Sequence, residues 1–167
     1  MFGAAYSSAA WSNFCSAEVS AAAALTGLLF VAVSINLAKI VAFPQLTPRA
    51  GKALIALVAV MFAGSVGMVP GQSMAVLGGE LTLLGGFDWV AITLLQWAAT
   101  KGNPYVTRRQ KWVHGLLAQF SAVPLVVCGV SVLCWRGGGL YWLLPFVIFS
   151  FTGALLDAWV LLVEIQR

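Results

Sequence analysis

Apolar residues run through this chain in long unbroken blocks, and polar residues gather in the short stretches between them. Five blocks, at about 19–41, 53–69, 75–98, 113–135 and 140–165, match the roughly 20 residues that a helix needs to cross a hydrocarbon layer. The first carries no charge until Lys39, and the second ends at the turn signal Pro70-Gly71. The third is interrupted by Glu80 and Asp88, but leaving it out would expose a long loop of Leu, Trp and Ile to water. Only Arg136 and the triplet Gly137 to Gly139 separate the fourth from the fifth, so those two form an antiparallel hairpin. The runs are continuous and do not alternate with period two, which argues for helices over barrel strands. The expected fold is all-α: a polytopic membrane bundle of five transmembrane helices over residues 19–167, preceded by an extracytoplasmic segment over residues 1–18.

Composition narrows the class further. The chain is 61% hydrophobic and 8% charged, with a mean hydropathy of +0.96. A water-soluble domain carries about 25% charged residues because it faces solvent everywhere. With 167 residues mostly in the membrane, little chain remains for a separate soluble catalytic domain.

Charge placement sets the orientation. Five crossings put the loops at 43–52 and 100–112 on one side with the C-terminus, and that side collects Arg49, Lys52, Lys101, Arg108, Arg109, Lys111 and Arg167, with Lys39 at its edge. The other side holds only Arg136. Because cytoplasmic loops retain positive charge, the expected arrangement is N-terminus outside and C-terminus cytoplasmic. The net charge of +4 then reflects topology, and no nucleic acid is expected as a partner. Trp11, Trp135, Tyr141 and Trp142 map to the outer boundary, and Trp97, Tyr105 and Trp112 to the inner one, where aromatic residues anchor helices. Residues 1–18 contain no Lys or Arg, so no cleaved signal peptide is expected. That segment either lies along the outer leaflet or extends the first helix.

Small residues recur where helices could approach closely. Ala59, Ala63 and Gly67 repeat every fourth position in the second span, as do Ser150, Ala154 and Ala158 in the fifth, while Gly78-Gly79 and Gly85-Gly86 form a seam on the third. In lipid such seams favour van der Waals packing, within one bundle or between copies in a homo-oligomer. Pro124 and Pro145 lie inside spans, where each is expected to remove a hydrogen bond and kink its helix.

The candidate chemistry lies with polar residues inside the spans, because an ionisable group at the bilayer centre costs at least about 2.5 kcal/mol. Glu80, Asp88 and Gln96 trace a slanting stripe on the third helix, since eight residues advance a helix by two turns and about 80°. On the fifth, Ser150, Asp157 and Glu164 share a face. Asn36, Lys39, Gln96, His114, Gln119 and Asp157 all fall in the cytoplasmic half, which implies a polar pocket open to that side. A carboxylate there would pair with Lys39 or carry a proton, because desolvation disfavours its charged form. Such a pocket is either a site for a proton, a cation or a small polar solute, or a set of hydrogen bonds and ion pairs locking helices together. Lys39 and Glu164 are placed to snorkel to the interface, and His114 also sits at the interface, behind Arg108, Arg109 and Lys111.

Enzyme chemistry finds little support. One histidine cannot supply a paired-histidine haem site, and Cys15, Cys128 and Cys134 show no metal spacing, so no metal or cofactor is expected. Gly85-Gly86-Phe87-Asp88 departs from the Gly-x-Gly-Asp of intramembrane aspartyl proteases at Phe87. Only Cys15 and Cys134 approach the same outer side, and a disulfide between them is not favoured.

Three blocks carry a family resemblance: Leu25 to Asn36 (LTGLLFVAVSIN), Val69 to Gln72 (VPGQ), and Gly137 to Glu164, which includes GGGLYW and AWVLLVE. With the loop between the first two helices, they resemble a family of small bacterial inner-membrane proteins, some members of which are labelled modulators of the membrane protease FtsH. The resemblance spans most of the chain and is weakest over 77–109. It implies a bacterial cytoplasmic membrane and a non-enzymatic role, and it brings no catalytic or binding residues to transfer. Two functional readings follow. One is an ion, proton or small-solute permeation module. The other is a regulatory membrane protein that binds another membrane complex, such as a membrane protease.

Overall fold

A computed structural model of the chain describes residues 4–43, 46–100 and 108–163, with side chains described for all of these except 100, 108–111, 113, 114 and 163. The helices are α1 (Ser8–Ile35), α2 (Leu37–Ala42), α3 (Leu46–Gly67), α4 (Met74–Thr100), α5 (Arg108–Cys134) and α6 (Leu143–Val163). Two 3-10 turns, Ala4–Tyr6 and Gly139–Trp142, precede α1 and α6. Five of the helices, all but α2, are long and apolar enough to cross a membrane, in agreement with the hydropathy pattern. Elements consecutive in the chain pack side by side, and α3 lies at the centre, against α1, α4 and α6.

The first helix begins earlier than its apolar run. Trp11, Cys15, Ala22 and Leu29 fall on one face and are all buried, so residues before Val19 have a packing surface that holds them helical. Of the two expectations for the N-terminal segment, extension of the first helix is the one observed from Ser8 onward. At its other end the first run does not continue unbroken to residue 41. Asn36 closes α1 with φ −102°, its side-chain Nδ2 donates to the Ala32 carbonyl at 3.1 Å, and the short α2 follows. Pro145 also departs from expectation. It is the third residue of α6, where its missing N–H would have had no intrahelical acceptor, so nothing is lost. Pro124 does lie inside α5, and it is buried.

Bare backbone decides how closely the helices meet. A Cβ on Gly64 would lie 2.7 Å from Val19 Cγ2 and 3.0 Å from the Cys15 carbonyl oxygen, so α3 meets α1 at van der Waals distance there. On α4 only one glycine of each pair is used. A Cβ on Gly78 would come within 2.9 Å of Leu133, and one on Gly85 within 2.7 Å of the Val126 nitrogen, whereas Gly79 and Gly86 face open space. Gly129 completes this seam from the α5 side, against Thr82 and Gly78. Where neighbouring lipid is as apolar as the helices, such close contact is what holds them together.

The Gly67 end of the bundle is capped by the N-terminal turn seated on the α5–α6 connection. Gly137, Gly138 and Gly139 have φ of +85°, +106° and +55°, a run that suits residues without a Cβ. Ser131 Oγ accepts the Gly139 N–H at 2.8 Å and donates to the Arg136 carbonyl. Tyr6 stacks on Trp135 at 5.3 Å, Trp11 meets Tyr141 edge-on at 5.1 Å, and Trp11 Nε1 donates to the Ala4 carbonyl at 2.8 Å. Trp11 is therefore a core residue, 8% exposed, instead of a boundary anchor.

Candidate functional site

Near the opposite end, three helices converge on one charge cluster. Gly51 faces Leu95, and Ala56 packs with Ile92, so the antiparallel α3 and α4 bring Lys52 and Gln96 to the same depth. Lys52 Nζ donates to Gln96 Oε1 at 3.0 Å and stands 2.9 Å from Asp157 Oδ2 on α6. The contact with Asp157 lacks hydrogen-bond alignment and holds by charge attraction. Both side chains are largely withdrawn from solvent, at 14% and 7% exposure. The expected pairing partner, Lys39, is instead exposed on α2. On α2 it is Ile40 that is buried, and Lys39 beside it lies on the exposed side, while Lys52 lies inside the bundle on α3.

This cluster borders a cavity of about 160 Å³ between α3, α5 and α6. Its walls are mainly apolar. Arg49, Lys52 and Asp157 lie toward one end, and Ser121 and Ser150 lie deeper. Ser150 and Asp157 are two helical turns apart on the same face of α6 and do line the same space, as their spacing implies. Both hydroxyls are already engaged: Ser121 donates to Ala118 at 2.8 Å and Ser150 to the Ser121 carbonyl at 3.4 Å.

Asp88 is placed differently. It lies between Gly85 and Ile92 on the buried face of α4, toward the junction of α3 and α5. It is 1% exposed, and neither carboxylate oxygen has a hydrogen-bond partner among the described residues. Asp88 does not border the cavity.

The other candidates disperse. Asn36 serves the α1–α2 break. Gln119 reaches across to α4 on the outer face of the bundle, accepting from Trp89 Nε1 at 2.6 Å and donating to Thr93 Oγ1 at 3.3 Å. Glu80 accepts from Gln72 in the α3–α4 connection. The side chain of His114, and the residue Glu164, lie outside the described residues. Glu18 is a further intramembrane acid that the hydropathy boundaries set aside. With α1 starting at Ser8 it falls inside the helix, and its Oε2 is buried without a partner among the described residues. It stands among small and apolar residues with no other charge from Ala4 to Ala38, which was the available signal. Cys15 and Cys128 are buried, Cys134 is exposed, and all three are free thiols.

The fold and this interior define a class: a small multi-pass membrane bundle with ionisable groups buried between its helices. No family model, no curated protein and no solved structure matches the chain.

Proposed function

We propose that the chain is a non-enzymatic permeation module of the bacterial cytoplasmic membrane that moves protons, with Asp88 as the group that carries them. The buried, partnerless carboxyl of Asp88 carries this reading. An acid retained as structural glue is held by an opposite charge or by hydrogen bonds, as Asp157 is held by the charge of Lys52. Asp88 has neither among the described residues, so its cost in the membrane has no structural return. Its charge is tolerable only when water or a cation reaches it, which ties protonation at Asp88 to opening of the bundle. The Lys52–Gln96–Asp157 cluster, joining α3, α4 and α6, then acts as the inner gate, and the cavity beside it is the vestibule.

Purified protein in liposomes with an entrapped pH indicator tests this. Wild type is expected to dissipate an imposed pH gradient faster than empty vesicles, and Asp88→Asn to abolish that excess. Wild-type vesicles no leakier than empty ones under either polarity, with the protein folded, would refute it.

A second reading is favoured by α1. Its most apolar window is 11% buried, against 33–50% in the other four spanning helices. Leu28, Phe30, Val31 and Ile35 are all more than half exposed. A regulatory protein that docks on another membrane complex through α1 would use this face. Crosslinking from α1 in native membranes should then capture one defined partner, and capture of lipid alone would count against it.

A further inference from the structure

The cavity beside Lys52 has a second use, independent of Asp88. We propose that it binds the acidic headgroup of a membrane phospholipid, with Arg49 as the residue that holds the phosphate. Four residues of α3, Arg49, Lys52, Ala53 and Ala56, face this space, as helical neighbours three and four apart do.

Among the described residues, two cations border this space against the single carboxylate of Asp157. Lys52 is committed to Asp157 at 2.9 Å and to Gln96 at 3.0 Å. Arg49 is half-buried and has neither a hydrogen bond nor an ion pair among the described residues. A guanidinium in that position presents a planar fork suited to phosphate oxygens. It is the fourth residue of α3, about 4.5 Å from the helix start at 1.5 Å per residue. Arg49 also precedes the apolar run that begins near Ala53, which suits the level of a headgroup, and the positive end of the α3 dipole adds to the attraction.

Access decides between a lipid and a soluble anion. Leu156 and Trp159 line the cavity and also belong to the outer surface of the bundle, at 52% and 64% exposure. An occupant can therefore enter sideways from the bilayer and leave its acyl chains along α6. The mainly apolar walls suit the glycerol end of such a molecule and offer a free inorganic ion little beyond Arg49. Basic pockets between membrane helices on the cytoplasmic side recognise acidic lipids by this logic.

The test is native mass spectrometry of the protein released from bicelles of phosphatidylcholine and phosphatidylglycerol in equal amounts. Wild type is expected to retain phosphatidylglycerol in preference, and Arg49→Gln to lose that preference while Arg49→Lys keeps part of it. Gly153 lines the cavity and has open space where its side chain would be. Gly153→Leu should therefore expel the lipid without touching any charge, which covers the case in which the Arg49 variant fails to fold. Equal retention of both lipids by wild type, or an undiminished preference in both folded variants, would overturn the proposal. So would displacement of the lipid by inorganic phosphate, which would assign the site to a soluble anion.

Discussion

Replacing Lys52 by methionine keeps most of the length and the apolar character of the stem and removes its charge, leaving Asp157 without its 2.9 Å partner. At an effective dielectric of about 20, two unit charges at that distance attract by roughly 6 kcal/mol. Desolvating each ion costs several kcal/mol, so the pair is close to balanced as a whole and strongly asymmetric when broken. Lys52→Met or Asp157→Leu alone should each destabilise the bundle by about 3–5 kcal/mol, the cost of stranding one buried charge. The double variant should lie within about 2 kcal/mol of wild type, because both charges leave together and apolar groups of similar size fill the space. Reversible unfolding in mixed micelles with increasing dodecyl sulfate, followed by tryptophan fluorescence, measures all four proteins on one scale. A double variant as unstable as the sum of the singles would show that the two residues do not act as a pair, and would remove the inner gate from the proposed function.

The glycine seam between α4 and α5 makes an opposing pair of forecasts. Gly129→Ala would drive a methyl into Thr82 and to 2.8 Å from the Gly78 carbonyl oxygen, and overpacking of this kind costs about 1–3 kcal/mol. Gly86→Ala meets nothing within 4 Å and should be neutral or stabilising by up to about 1 kcal/mol through helix propensity; equal losses in the same unfolding assay would contradict the assigned faces. At the capped end, Gly139→Ala combines a φ of +55° with a collision against the Ala5 carbonyl and Tyr6. The conformational part alone costs about 1–2 kcal/mol. The substitution should release the N-terminal turn, seen as faster proteolysis before Ser8, and a wild-type digestion pattern would mean that the turn is held by other contacts.

Much of the architecture was legible in one dimension. Whether a segment can cross a bilayer depends on its length and apolarity, which are local properties, so five spanning helices could be read directly from the blocks of hydrophobic residues. Periodicity on a single helix was equally legible: Ser150 and Asp157 share a face by spacing and line one cavity. Position along the membrane normal can also be counted in residues, and that count puts Gln96 and Asp157 in the same half of the bundle. Which side of a helix meets which neighbour cannot be counted this way, and there the tertiary structure decided. It gave Asp157 the cation from α3 instead of Lys39, because α2 buries Ile40 and leaves Lys39 on its exposed side. It turned Gln119 outward to Trp89 and Thr93, and it chose Gly78 and Gly85 over the glycines beside them. Above all it separated two intramembrane aspartates that the sequence distinguished by depth but not by partner. Asp157 meets a lysine on a facing helix, and Asp88 faces a packed junction that offers it no partner among the described residues, because pairing depends on side chains far away in sequence that only the folded bundle brings together.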